Sequence, residues 1–201
     1  MIHYHGTPLT PRHELSKMAG KHFCVSFANP GDADWCQANG QSVMWDNGAF
    51  SFRGKGGLDP VAFANWVEPR LGHPHWAVIP DVIDGPEEQQ RELVAAWPHR
   101  RELSAPVWHM DLSLDWLLEL SDRFPRVCFG STKQFWQVGS ELWSRRADEA
   151  RPFPLGRAIR PGEERPAGSV AADEVPGLRG VIRRVARQEG GEGRMGRGQR
   201  V

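Results

Sequence analysis

Five short apolar runs, each followed by a segment of helical spacing, constrain this chain more than any other feature. The runs are rich in β-branched or aromatic residues and cover 22–27, 42–45, 76–80, 106–110 and 126–129. The segments that follow them, 32–39, 59–71, 86–97, 113–124 and 140–150, carry apolar residues at helical intervals. Parallel neighbours need a long crossover, usually a helix, so this alternation predicts an α/β protein with a parallel sheet. On length alone, 201 residues favour an open doubly wound sheet over an eight-stranded barrel, which typically needs about 250. In both architectures chemistry belongs at the carboxyl ends of the strands.

Helix boundaries are written locally. In 113–124, Leu114, Leu117, Leu118 and Phe124 recur near a 3.6-residue period, with Asp115, Glu119 and Asp122 on other faces, and Ser113 is placed to cap the first turn. Pro86-Glu87-Glu88 suits a first helical turn through its fixed φ and its acids, with Asp84 as the expected cap.

Four of these strand ends are polar. The second run leads into Asp46-Asn47-Gly48-Ala49-Phe50, a carboxylate followed by a glycine that lets the backbone turn, although the same residues also fit a self-bonded Asx-turn. The third ends in Asp81, the fourth in His109-Met110-Asp111, and the fifth in Gly130-Ser131-Thr132, whose amides and hydroxyl suit a planar ring or a phosphate. Four polar ends on one edge favour a site, with Asp46, Asp81 and His109 converging and Gly130, Ser131 and Phe50 beside them.

The zero net charge of the chain hides a division near Arg151. Residues 151–201 hold eleven Arg, no Lys and six acidic residues, with ten Gly and five Pro. That composition lacks the apolar density needed to offset ordering entropy, so this tail is expected to be disordered or weakly helical, or foreign to the fold through a shifted reading frame. Domain organisation therefore reads as 1–150 and 151–201. The three cysteines lack the spacing of a zinc knuckle or a disulfide framework, which indicates a reducing compartment. With no signal core and no run approaching the roughly 18 apolar residues of a membrane span, a cytoplasmic protein without a membrane partner is expected.

The segment Asp46-Asn47-Gly48-Ala49-Phe50 resembles the Asp-Ser-Gly-Gly-Phe motif of the tRNA-guanine transglycosylases, including queuine tRNA-ribosyltransferases. With Ile79-Pro80-Asp81-Val82 and Val127-Cys128-Phe129-Gly130-Ser131, it is closer still to the transglycosylase-like proteins of phages and bacterial islands associated with 7-deazaguanine modification of DNA. The likeness covers roughly residues 1–150. It implies a (β/α) barrel of TIM type, truncated after about five βα units, and a pentosyltransferase that exchanges guanine for a 7-deazaguanine base in tRNA or DNA. Asp46 would then act in proton transfer or base positioning, and Asp81 would read the base edge. His109 stands where the family has Gln, and the backbone of Gly130 would contact the base. A flipped base also needs stacking, for which Phe50 or Trp108 is suited.

The departures from that family are equally specific. Its nucleophilic Asp lies on a strand beyond the fifth, and the structural zinc ligands of its tRNA enzymes lie later still. Neither has a counterpart here, and Asp173 sits in Pro/Gly-rich surroundings. No cofactor is therefore expected, and the chain reads as the base-recognition half of an enzyme, with inactivity as one outcome. A truncated barrel leaves open edges, which predicts partial unfolding, aggregation or closure as a homo-oligomer. Two further classes compete. His3-Tyr4-His5 with Asp81 and His109 could form the site of a metal-dependent hydrolase. A noncatalytic remnant could instead bind a nucleobase or nucleic acid, using Arg183, Arg184 and Arg187 on phosphates.

Overall fold

The computed structural model describes residues 2–150. The tail at 151–201, with Asp173 and the three arginines, lies outside the described residues, as does the question of its reading frame. Seven strands are present among the described residues: Tyr4–Gly6 (β1), His22–Ser26 (β2), Ser42–Asp46 (β3), Trp76–Val78 (β4), Ser104–Ala105 (β5), Val107–His109 (β6) and Cys128–Gly130 (β7). The helices are Ala33–Asn39 (α1), Ala49–Phe52 (α2), Pro60–Val67 (α3), Glu87–Ala96 (α4), Leu114–Arg123 (α5) and Glu141–Ala150 (α6). No helix among the described residues is long and apolar enough to cross a membrane.

Strands β1 to β5 form one parallel sheet in sequential order, and β6 and β7 form a parallel pair. Only Pro106 separates β5 from β6. Proline has no N–H to donate, so the ladder is interrupted there. Bonding nevertheless continues on both sides of it: Ile79 N donates to Ala105 O at 2.9 Å, and Cys128 N donates to Pro106 O at 2.8 Å. The strand order never reverses among the described residues, unlike the doubly wound sheet that length alone favours. Two strands, β1 and β5, were not legible in the sequence, because three and two residues are too few to show a period.

The sheet is covered on both faces. Its convex face packs under the helices in two clusters. Phe23, Val25, Val43 and Trp45 meet Cys36 of α1 and Phe63 and Val67 of α3, while Ile79, Trp108 and Phe129 meet Val94, Trp116, Leu117 and Leu120 of α4 and α5. The alternate residues Tyr4, Cys24, Met44, Trp76, Val78, Ala105 and Cys128 form a third cluster on the concave face. In a flat sheet β1 and β4 would lie about 14 Å apart, three strand spacings of about 4.8 Å. Here Trp76 Nε1 donates to the Tyr4 hydroxyl at 3.0 Å, and Ser42 Oγ donates to the same oxygen at 3.2 Å. The sheet therefore curls into a trough whose floor is these side chains.

Two helix starts are capped by side chains. Asp59 accepts from Val61 N and Ala62 N, both at 3.0 Å, and Ser113 accepts from Trp116 N at 3.1 Å. Asp84 does not cap α4: the residue before that helix is Pro86, and Asp84 Oδ2 pairs instead with Arg53 Nη2 at 2.6 Å. Helix α6 is tied to the loop after β6, since Arg146 donates to Met110 O at 2.8 Å and to Leu112 O at 2.6 Å.

The Tyr4 hydroxyl is the acceptor for two donors on the trough floor, so Tyr4→Phe leaves both without it. We expect a loss of about 1–3 kcal/mol, read as a lower urea midpoint at unchanged slope. A midpoint equal to that of the unaltered chain would show that the cross-trough bonds do not hold the curl.

Candidate functional site

At the carboxyl ends of the strands the trough opens into a pocket with about 790 Å³ of free space, its mouth included. Met44, Val78, Val107 and the two thiols Cys24 and Cys128 line its depth. Asp46, Asp81, His109, Gly130, Ser131 and Phe50, all singled out from the sequence, line it together.

Asp46 is the last residue of β3 and faces the concave side with Met44 and Ser42, two and four residues before it. The chain then turns at Gly48, whose φ of 76° places it in the left-handed region. A Cβ on Gly48 would stand 2.9 Å from Ser26 Oγ and 3.0 Å from Ala28 N, so glycine is required on two counts. The tight turn lets Gly48 N donate to Asp46 Oδ2 at 3.2 Å and Ala49 N donate to Asn47 Oδ1 at 2.7 Å. The Asx-turn reading of this segment is thus correct, and it is also what builds the site.

Asn47, absent from the sequence-derived set, spans the pocket wall. Its Nδ2 donates to Asp81 Oδ1 at 2.8 Å and to Ile79 O at 2.9 Å. Asp81 Oδ2 lies 2.8 Å from His109 Nε2, and both side chains are buried. A carboxylate there accepts, so Nε2 is the ring nitrogen that donates. His109 Nδ1 is itself buried with no hydrogen-bond partner among the described residues. Gly130 makes room for this ring: a Cβ on it would sit 3.3 Å from His109 Cδ2 and 3.0 Å from Val107 Cγ1.

Burial raises Asp46 from its ordinary carboxylate value to about 6. The Ser26 hydroxyl works against that shift by hydrogen bonding, the negative charge of Asp81 adds to it, and the Gly48 amide opposes it. Asp46 can therefore exchange a proton near neutral pH. Cys128 has the opposite character. Burial, with the charges of Asp46 and Asp81 behind it, pushes its thiol up, so it serves the pocket floor as a small apolar group and not as a nucleophile.

The remaining expectations divide. Phe50, on α2, stands at the mouth with 40% of its surface exposed. Ser131 Oγ accepts from Trp143 Nε1 at 3.0 Å, which leaves its own hydroxyl hydrogen as a donor. Trp108 is not a stacking residue: it alternates with His109, points to the convex face, is fully buried and donates from Nε1 to Ser113 O at 2.9 Å. His3 and His5 do not join Asp81 and His109. His5 alternates with the inward-facing Tyr4, and among the described residues no three His, Cys, Asp or Glu side chains are grouped to hold a metal ion. Asn47 had a signal in the sequence, since it lies inside the motif; Ser26, at the end of β2, had only its position.

No protein-family model, no curated protein and no solved structure matches this chain.

A folded-state value above the unfolded one means that the folded chain holds the Asp46 proton more tightly. Its contribution to stability is complete below about pH 4 and is lost as pH rises through about 6. Asp46→Asn, which cannot ionise, is expected to raise the unfolding free energy at pH 7.5 by an amount on the order of 2–3 kcal/mol, read as a higher Tm. The gain should vanish near pH 3.5. An equal change at both pH values would show that charge is not its source.

Proposed function

We propose that residues 2–150 belong to a (β/α) barrel of TIM type. We further propose that its strand-end pocket receives guanine and a 7-deazaguanine base, as in the base-exchange reaction of the transglycosylases. The barrel reading is supported by sequential parallel order and by a buried layer of side chains on the concave face. The observation that carries the functional reading is the buried Asp81–His109 pair, held by Asn47 and facing Asp46 across one pocket.

A guanine edge offers N–H donors beside carbonyl and ring-nitrogen acceptors, and the pocket offers matching groups. Each Asp81 oxygen has one protein partner and a second lone pair to spare. The Ser131 hydroxyl and the peptide at Gly130 lie beside His109 on the neighbouring strand end, and Phe50 can cover the ring face. Asp46, with its value near 6, takes the proton that an incoming deazaguanine loses or supplies one to a departing base. Base exchange also requires a carboxylate nucleophile at the anomeric carbon. No residue among those described is assigned that role. The nucleic acid carrying the base, tRNA or DNA, is part of the same proposal.

The test is incorporation of radiolabelled guanine into guanine-containing tRNA or DNA by the full chain, with equilibrium dialysis of free guanine alongside it. Catalysis predicts incorporation that falls at least about a hundredfold in Asp46→Asn. Guanine binding without incorporation, weakened in Asn47→Ala, identifies a base-binding protein that does not turn over. Absence of both overturns the reading.

A further inference from the structure

Outside the base pocket, and sharing Phe50, Ile83 and Ser131 with it, lies a shallower outer pocket bordered by Arg53, Asp84, Lys133 and Trp136. Trp136 is 61% exposed and Phe50 40%, so two aromatic faces flank one opening. Exposed tryptophan is costly, and these two rings sit beside polar strand ends and not on an apolar patch.

The charges at this rim are arranged in order. Arg53 Nη2 pairs with Asp84 Oδ2 at 2.6 Å, and Lys133 Nζ pairs with Asp111 Oδ2 at 2.6 Å. Asp84 also acts on Lys133 through space, so the four groups link the loops after β3, β4, β6 and β7 across the mouth. Asp84 and Lys133, with φ of 58° and 47°, are the two non-glycine residues in the left-handed region among those described. Such backbone is retained where surrounding contacts over-determine it, here the two ion pairs. Both cations keep further N–H donors beyond these pairs, and both side chains are about half exposed.

We propose that this rim is a second subsite that holds the strand from which the base is presented: Trp136 stacks on the nucleotide next to the flipped one, and Lys133 and Arg53 contact the flanking phosphates. The proposal rests on the base-pocket reading above and deepens it by assigning a residue that distinguishes a polynucleotide from a free base. A stacking ring is indifferent to base identity, because every base has a π-face. Two cations balanced by two carboxylates add little net field. Affinity at this subsite should therefore come from stacking, with log K falling against log salt by no more than about 1.4, two single-strand phosphates at about 0.7 each.

The experiment uses the full chain, a fluorescein-labelled single-stranded DNA hexamer with one central guanine, and radiolabelled free guanine. Anisotropy reads the first ligand and equilibrium dialysis the second. Trp136→Ala should weaken hexamer binding about tenfold or more while leaving guanine binding within about twofold, and Trp136→Phe should recover most of the loss. Equal weakening of both ligands, no weakening of the hexamer, or failure of the phenylalanine variant to recover it would each overturn the subsite. If the unaltered chain binds no free guanine, the base pocket fails and this inference fails with it. If guanine binds and the hexamer is indifferent to Trp136, only the rim is refuted.

Discussion

The inward curl of the parallel sheet is the constraint on which the rest of this structure depends. It brings Tyr4 on β1 to Trp76 on β4, two residues that a flat sheet would hold well apart, and it gathers one side chain or more from nearly every strand onto a buried concave face. Helices cover the other face, so both sides of the strands lie out of water. That double coverage explains why the strands read as nearly continuous apolar runs and not as alternating ones. The same curl turns the carboxyl ends of β3, β4, β6 and β7 towards a common centre, which makes a pocket from residues far apart in the chain.

Within that pocket, order comes from a few obligatory contacts. Gly48 is needed for both its φ and its lack of a side chain, and the turn it permits fixes Asp46 and Asn47 together. Asn47 then positions Asp81, and Asp81 orients His109. Each step uses a donor that would otherwise be buried without an acceptor. Asp46 is the exception to this economy, since burial and the neighbouring Asp81 work against its ionised form. Groups held at such a cost cluster where proton exchange or ligand binding offsets it.

The helices were the most legible elements. The Ser113 cap and the 3.6-residue period of α5 are local features, written in adjacent residues, and the structure keeps them. The missed features all depend on partners distant in sequence. Strand β1 has three residues and is defined by its pairing with β2. Asp84 looks like a cap by its place before a helix, but Arg53, thirty-one positions earlier, claims its carboxylate. Trp108 and His109 are equivalent in composition terms, and only the direction of the strand decides that one joins the core and the other the pocket.

By itself the sequence determined the α/β class, the alternation of strands and helices, and which residues stand at strand ends, because short-range periodicity and turn chemistry are properties of neighbouring residues. The tertiary structure alone decided that strand order runs without reversal, that the sheet curls, and that Asn47 bonds to Asp81 beside the Asp81–His109 pair. Those outcomes depend on which strands pair and on how far a sheet bends before its side chains meet. Neither quantity is encoded in any stretch of chain short enough to read locally.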